Sequence, residues 1–381
     1  MVIRDFLRWI GTAPASARAD ATNALARAWL HSRLDPIDRD AAEAAMTFLL
    51  DDPAPVVRAA LADALGASSR APRHIILALA NDLPAIASLV LMRSPLFLDT
   101  ELVDFAAAGD VEIQAAIALR PQVSAAVSGA IAEVGAVDAC LELLANPGAA
   151  ICRGSFERLV ERFKEDSRLR CAMMQRPGVP LAVKQKLVAD LSETLAMMPF
   201  VRSGIRSGKV ENVVGEARDK VTVALAGEAE DHEIPGLVEH LRLSAQLTPT
   251  LLLRTVCSGN IRLFECALAS LTGMPRTRVA VLLDSAQVTS LRALFAKAEL
   301  PRSTHSAFVA AVETYRVMRM RGDRLYGHEF TRRMIREVLA RYHGAAGQDD
   351  LDQLRGLLHR LEGEAAREAA RHFVHGALTA A

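Results

Sequence analysis

Leu49-Leu50-Asp51-Asp52-Pro53-Ala54-Pro55-Val56-Val57-Arg58-Ala59-Ala60-Leu61-Ala62 decides the fold. An apolar pair closes one helix. Two acidic residues and two prolines interrupt the chain, and an Ala-rich amphipathic run opens the next helix. Proline cannot continue a helix but fits the first turn of a new one, and Asp accepts the backbone N–H groups that a helix start leaves open. The stretch therefore predicts two helices joined by a tight turn.

The same order of features returns along the chain. Leu79-Ala80-Asn81-Asp82-Leu83-Pro84 leads into Ile86, Leu89 and Val90, and Ala108-Gly109-Asp110-Val111 leads into Ile113, Ala116 and Ile117. Leu143-Leu144-Ala145-Asn146-Pro147-Gly148 leads into Ile151, and a weaker copy at Gln175-Arg176-Pro177-Gly178-Val179-Pro180 leads into Val183, Leu187 and Leu191. The anchors Asp52, Asp82, Asp110 and Asn146 lie about 30 to 36 residues apart, with one shorter step, which is the range of helical repeats. One helix pair cannot bury its own apolar face, so pairs stack in series.

The predicted class is all-α: a HEAT-like helical-repeat array, an α–α superhelix, with a more irregular helical C-terminal part. Residues 1–198 form the first repeats, 199–236 a junction, 237–322 further repeats and 323–381 C-terminal helices. The junction is marked by Pro199, Gly204, Gly208 and Gly215, by the acidic run Glu228, Glu230, Asp231 and Glu233, and by Pro235-Gly236. A helix is expected within it near Lys209–Leu225. Later helices are expected near Arg276–Leu283, Ser290–Lys297, Thr304–Arg319, Tyr326–Tyr342 and Asp349–Val374.

Composition agrees. Aromatic residues are 4% of the 381, and Ala, Leu and Arg, which lose little side-chain freedom in a helix, recur throughout. Forty-five basic residues balance 45 acidic ones, so no whole-protein field attracts nucleic acid or an anionic membrane. Five cysteines, Cys140, Cys152, Cys171, Cys257 and Cys266, form no C-x-x-C pair and read as small buried hydrophobes in a reducing compartment. No run approaches the ~20 apolar residues of a membrane span, and Arg4, Asp5 and Arg8 break the N-terminal apolar stripe. A cytoplasmic protein is expected.

The run from Asp51 to Ala62 resembles the D-x-x-x-x-V-R-x-A-A-x-x-A signature of HEAT repeats, a family in which Asp and Arg of neighbouring repeats ladder along the stack. Only Arg58 matches the arginine position well. The order of features over roughly residues 40–320 also resembles a bacterial family, the domain of unknown function 2336. The carrying stretches are Val56–Leu65, Leu89–Leu96 (with Met92-Arg93-Ser94-Pro95), Ile117-Ala118-Leu119-Arg120 and Leu143–Asn146. That resemblance implies a helical fold and brings no activity.

Gly204-Ile205-Arg206-Ser207-Gly208-Lys209 has three residues between its glycines instead of the four of a phosphate loop, and Val210 stands where a Mg²⁺-binding hydroxyl belongs. It reads as a basic hinge in which Arg202, Arg206 and Lys209 offer an anion contact. His372 and His375, three apart, share a helical face, with His359 and Glu368 on the same predicted helix; two imidazoles at that spacing suit Zn²⁺ as well as plain solvation. No nucleophile elbow or Cys–His neighbourhood is present, so no enzyme, metal or cofactor is expected. The strongest charge feature is Arg316, Arg319, Arg321, Arg324, Arg332, Arg333, Arg336 and Arg341 against Asp323, Glu329 and Glu337, eight minus three or +5. Tyr315, Tyr326, Phe330 and Tyr342 are interleaved. Guanidinium forks suit phosphate and aromatic faces stack bases, while the alternative is a solvated helix face over packed aromatics.

The two ends of the chain carry amphipathic stripes. Ile3, Phe6, Leu7 and Ile10 form either a docking helix or a cap on the end of the array. Leu351, Leu354, Leu358, Leu361 and Ala365 form a short seam for a homodimer or for packing within the chain. The expected function is a non-enzymatic scaffold or adaptor that binds a protein partner through Arg58 and its inner-face neighbours and through the Arg316–Arg341 face. The alternative is recognition of a nucleotide or nucleic acid through the arginine-rich face.

Overall fold

The computed structural model describes residues 6, 8–199, 210–323, 325, 327–342 and 350–379, without the side chains of 342, 350–355, 357, 372, 373 and 375–379. The chain forms two compact units, Met1–Val179 and Pro180–Ala381. Both are helical, and no strand occurs among the described residues.

The first unit holds α1 (Ala15–His31), α2 (Pro36–Phe48), α3 (Pro55–Leu65), α4 (Arg73–Ala80), α5 (Pro84–Arg93), α6 (Asp99–Ala108), α7 (Val111–Ala118), α8 (Ala125–Val134), α9 (Val137–Ala145), α10 (Arg153–Arg162) and α11 (Ser167–Gln175). Pro36, Pro55 and Pro84 each open a helix, as the repeat signature requires. The odd-numbered helices lie side by side in one layer, and α6, α8 and α10 form a second layer against it. Val57, Leu61, Leu65, Ile75, Ile76, Leu79, Val90 and Leu91 fill the space between layers. This is the serial repeat array that the sequence predicts.

Two polar ladders fix the stacking. On the edge where the odd-numbered helices start, the fourth residue of a helix reaches the start of the next one. Arg18 Nε and Nη2 donate to Asp52 at 2.9 and 2.7 Å, and Arg58 Nε and Nη2 donate to Asp82 at 2.6 and 2.8 Å. Gln114 holds the same place in α7, accepting from Ala136 N at 2.9 Å and donating to Ala106 O at 3.0 Å. Arg58 thus has a predecessor in Arg18, and Gln114 replaces the ion pair with a neutral bridge. These arginines hold the carboxyls of Asp52 and Asp82 below the usual carboxylate range.

On the opposite edge, the last carbonyls of each helix, which have no partner within it, receive a side chain from the next repeat. Arg120 donates to Leu91 O and Ser94 O. Asn146 donates to Ala118 O at 2.7 Å and Arg120 O at 2.6 Å. Arg176 donates to Leu143 O, Leu144 O, Asn146 O and Ala149 O at 3.1, 2.5, 2.9 and 2.7 Å. Each donor sits just past a helix end and just before a proline, Pro121, Pro147 or Pro177. At the N-terminal end Ile10 is buried with Ala19, Leu49 and Val57, with Phe6 packed alongside, so this stripe covers the array; Ile3 and Leu7 lie outside the described residues.

The second unit holds α12 (Leu181–Met197), α13 (Val210–Glu228), α14 (Ile234–Leu243), α15 (Pro249–Cys257), α16 (Ile261–Thr272), α17 (Arg276–Ser285), α18 (Val288–Lys297), a 3-10 turn (Arg302–Thr304), α19 (His305–Met320), α20 (His328–Tyr342) and α21 (Asp350–Thr379). Helix α12, grouped by the sequence reading with the repeats before it, packs on α13 and α14. The acidic run is tied down by Arg276, which pairs with Asp231 at 2.9 Å, and α14 starts at Ile234. Helices α13, α15 and α19 succeed one another in contact, as do α14, α16 and α18. Phe264, Phe295 and Phe308 meet at the centre with ring centroids 5.4–6.5 Å apart.

Helix α21 then folds back. It packs on α20, and its Arg360, Glu364 and Glu368 pair with Glu216, Arg254 and Lys220 of α13 and α15. Leu358, Leu361 and Ala365 are buried in the unit, so that part of the leucine seam is filled from within the chain. Among the described residues, no helix is long and apolar enough to cross a membrane.

Candidate functional site

Among the described residues, the arginines of the C-terminal part do not converge on a vacant anion site. Arg319 pairs with Asp284 at 2.9 Å, Arg333 with Asp323 at 3.2 Å and with Glu337 at 3.6 Å, and Arg336 with Glu362 at 3.8 Å. Arg316 donates to Ser285 O at 3.0 Å. Arg332 is exposed and pairs with no described residue. Tyr315 and Phe330 meet edge to face in the core, 6.3 Å between centroids, so their faces are not offered to a base. Arg202, Arg206, Lys209, Arg324 and Tyr326 lie outside the described residues, as do the side chains of Tyr342, His372 and His375. His359 lies 3.7 Å from Glu362, and no group of His, Cys, Asp or Glu able to hold a metal occurs among the described residues.

Arg58 serves the repeat stack: both forks of its guanidinium are spent on Asp82, and Nη1 donates to Asp52 O at 2.6 Å. The cysteines divide. Cys140, Cys257 and Cys266 are buried, and burial pushes Cys140 up to about 11 and Cys257 up to about 12. Cys152 and Cys171 are exposed, which corrects the expectation of five buried thiols. Cys152 occupies the N-cap of α10, a position outside the packed helix face, and its contact with Ser155 lowers the thiol. A colorimetric thiol reagent on the folded protein at pH 8 is therefore expected to label Cys152 and Cys171 promptly, and the other three only on unfolding. Prompt release of five equivalents would contradict the burial.

A cleft with polar chemistry belongs to the second unit. It holds about 790 Å³, between Glu211, Glu216, Arg218 and Asp219 of α13, Thr248–Thr250 and Leu253 at the start of α15, Pro301, Ser303 and Thr304, Phe308 of α19, and Gly356 and Arg360 of α21. Its floor is charged. Asp219 is 5% exposed and pairs with Arg218, whose Nη2 lies 3.7 Å from Oδ1. Behind it Arg254 is 4% exposed, with Nη1 on Glu364 at 2.8 Å and with Nε and Nη2 unpartnered. Asp219 sits one helical turn before Thr222 and Val223 on the buried face of α13, which is why packing carries a carboxylate inward.

Burial pushes the Asp219 carboxyl up to about 6, against the pull of Arg218 and Arg254. A carboxyl with a native pKa above its unfolded value binds its proton more tightly when folded. The stability it lends is present below about pH 4 and is lost as pH rises through about 6. Asp219→Asn is therefore expected to raise stability at pH 7.5 by on the order of 2 kcal/mol and to change it little near pH 4. Urea melts at the two pH values check this; an equal difference at both speaks against a native titration near neutrality.

No motif announces this floor, because Asp219, Arg254 and Glu364 lie far apart in sequence. The one available signal was an acidic residue on the apolar stripe of α13. A family model described as an uncharacterised protein conserved in bacteria (DUF2336) matches residues 86–371. No curated protein and no solved structure matches the chain. The matched span contains the carbonyl-capping ladder and the whole cleft, while Arg18, Asp52, Arg58 and Asp82 precede it.

Proposed function

The chain belongs to the DUF2336 family, and we propose that it is a non-enzymatic protein-binding scaffold that docks its partner along one edge of the first unit. One observation carries this reading. Phe48, Val56, Leu83, Val111 and Val134, one or two at each of four successive turns between paired helices, are each between 46% and 63% exposed. The rungs Arg18–Asp52, Arg58–Asp82 and Gln114–Ala136 set these helix starts side by side, so the apolar groups recur along a single edge at the spacing of packed helices, about 10 Å. Single exposed apolar residues need no explanation; a periodic row at matching positions of successive repeats favours a binding surface. Exposed Asp51, Asp110 and Glu112 flank the row, so a segment that mixes apolar with basic residues complements it.

Recognition of nucleotide or nucleic acid through the arginine-rich face ranks second. A phosphate there displaces the carboxylates already held by Arg319, Arg333 and Arg336. The scaffold reading is tested with a photoactivatable phenylalanine placed in turn at Leu83, at Val111 and, on the opposite edge, at Leu98. In living cells the first two are expected to capture the same polypeptide and the third not to. Equal capture at Leu98, or different captives at Leu83 and Val111, refutes the proposed edge. Arg58→Ala serves as a control: it is expected to lower stability rather than to remove a direct contact.

A further inference from the structure

Granted the scaffold reading, on which this rests, the pitch of the apolar row constrains the conformation of its occupant. Helices α3, α5, α7 and α9 pack in succession. Val56, Leu83 and Val111 stand at the starts of the first three, and Val134 at the turn into the fourth. Three steps between packed helices make a row about 30 Å long, which about 20 residues of α-helix cover. Seven helical residues rise about 10.5 Å, so side chains at heptad spacing on one helix face meet successive turns of the array.

Other backbones match less. An added β-strand needs a sheet edge with free main-chain groups, and no strand occurs among the described residues. A polyproline II segment repeats every ~9 Å but docks in aromatic-lined grooves, and beyond Phe48 this row is aliphatic. Charge sets the flanks: Asp51, Asp110 and Glu112 are exposed beside the row, while the ladder arginines Arg18 and Arg58 are spent on Asp52 and Asp82. We propose that this edge docks an amphipathic α-helix of about 20 residues, with apolar side chains at heptad spacing against Val56, Leu83, Val111 and Val134, and with Lys or Arg on its flanks facing Asp51, Asp110 and Glu112.

Fluorescence anisotropy on the full chain tests this, with a labelled peptide of three copies of the heptad Leu-Ala-Ala-Ile-Lys-Ala-Lys. Saturable binding in the ~10–100 micromolar range is expected. Leu83→Asn with Val111→Thr, which keep shape and suit a helix start, is expected to weaken it about tenfold or more, and Leu98→Asn on the opposite edge to leave it unchanged. Asp51→Asn with Glu112→Gln is expected to weaken it about threefold at low salt and to flatten its salt dependence. A peptide with Pro at its centre, which breaks the helix, is expected to bind about tenfold more weakly. The proposal is overturned if the heptad peptide does not saturate, or if a Pro-Leu-Lys repeat or the heptad with Glu for Lys binds as tightly. It is also overturned if Leu83→Asn with Val111→Thr leaves affinity unchanged, or instead dissociates a dimer of the parent chain, which makes the row a contact between copies. If only the helix is wrong, peptide binding fails while Leu83 and Val111 still capture one polypeptide in cells; if the scaffold reading is wrong, that capture fails too.

Discussion

Glu364→Ala is expected to cost the second unit about 3–5 kcal/mol, because it strands a buried guanidinium. Arg254 is 4% exposed, and its one hydrogen bond goes to Glu364 Oε2 at 2.8 Å across 110 residues of chain. Nε and Nη2 have no acceptor, so after the substitution the guanidinium keeps no hydrogen bond to a described residue and only the field of the nearby Asp219. Replacing both partners, Arg254→Met with Glu364→Leu, is expected to restore most of the loss or exceed it, since apolar groups of similar volume need no partners. Tryptophans separate the units conveniently: Trp9 and Trp29 both belong to the first. Urea melts followed by tryptophan fluorescence should therefore stay unchanged, while the transition seen by far-ultraviolet circular dichroism shifts. A loss below ~1 kcal/mol would mean that α21 contributes little to closing the unit.

Arg176→Ala should act in the first unit and move the fluorescence transition instead. Its guanidinium caps four carbonyls, Leu143, Leu144, Asn146 and Ala149, at the end of α9 and in the turn beyond. Hydrogen bonds to a charged donor contribute roughly 1.5–3 kcal/mol each when isolated, but one side chain cannot realise four independently. A combined loss of about 2–4 kcal/mol is expected, with the carbonyls re-solvated in part. Arg176→Lys should rescue little, because a single ammonium cannot span the carbonyls that a planar fork reaches. Full rescue by Lys would reduce the rung to a charge effect.

Much of the array was legible in the sequence, and for short-range reasons. Pro36, Pro55, Pro84 and Pro249 start helices because their missing N–H costs nothing in a first turn, and Asp35, Asp110, Asn260 and Thr248 cap because their side-chain oxygens reach a backbone N–H three residues on. The recurrence of those marks, with apolar faces that no single pair can bury, leads to serial stacking. Arg58 was recognised as a ladder residue by its local signature, while Arg18 and Gln114, on helices without that signature, were not.

The candidate site was not legible, and the reason is physical. Whether a charged side chain is a free ligand or a strut depends on which opposite charges come within about 4 Å, where screening no longer hides them. Arg319, Arg333 and Arg336 look vacant in a list of residues, and folding supplies Asp284, Asp323 and Glu362 beside them. Asp219 looks like ordinary helix decoration until α15, α19 and the returning α21 close around it. Sequence by itself determined the helices and their order, because caps, prolines and a 3.6-residue period act over a few residues. Tertiary structure alone decided which charges are paired and which line a cavity, because pairing at that range is settled by packing between separate segments, from ten residues apart for Arg333 and Asp323 to 144 for Arg360 and Glu216.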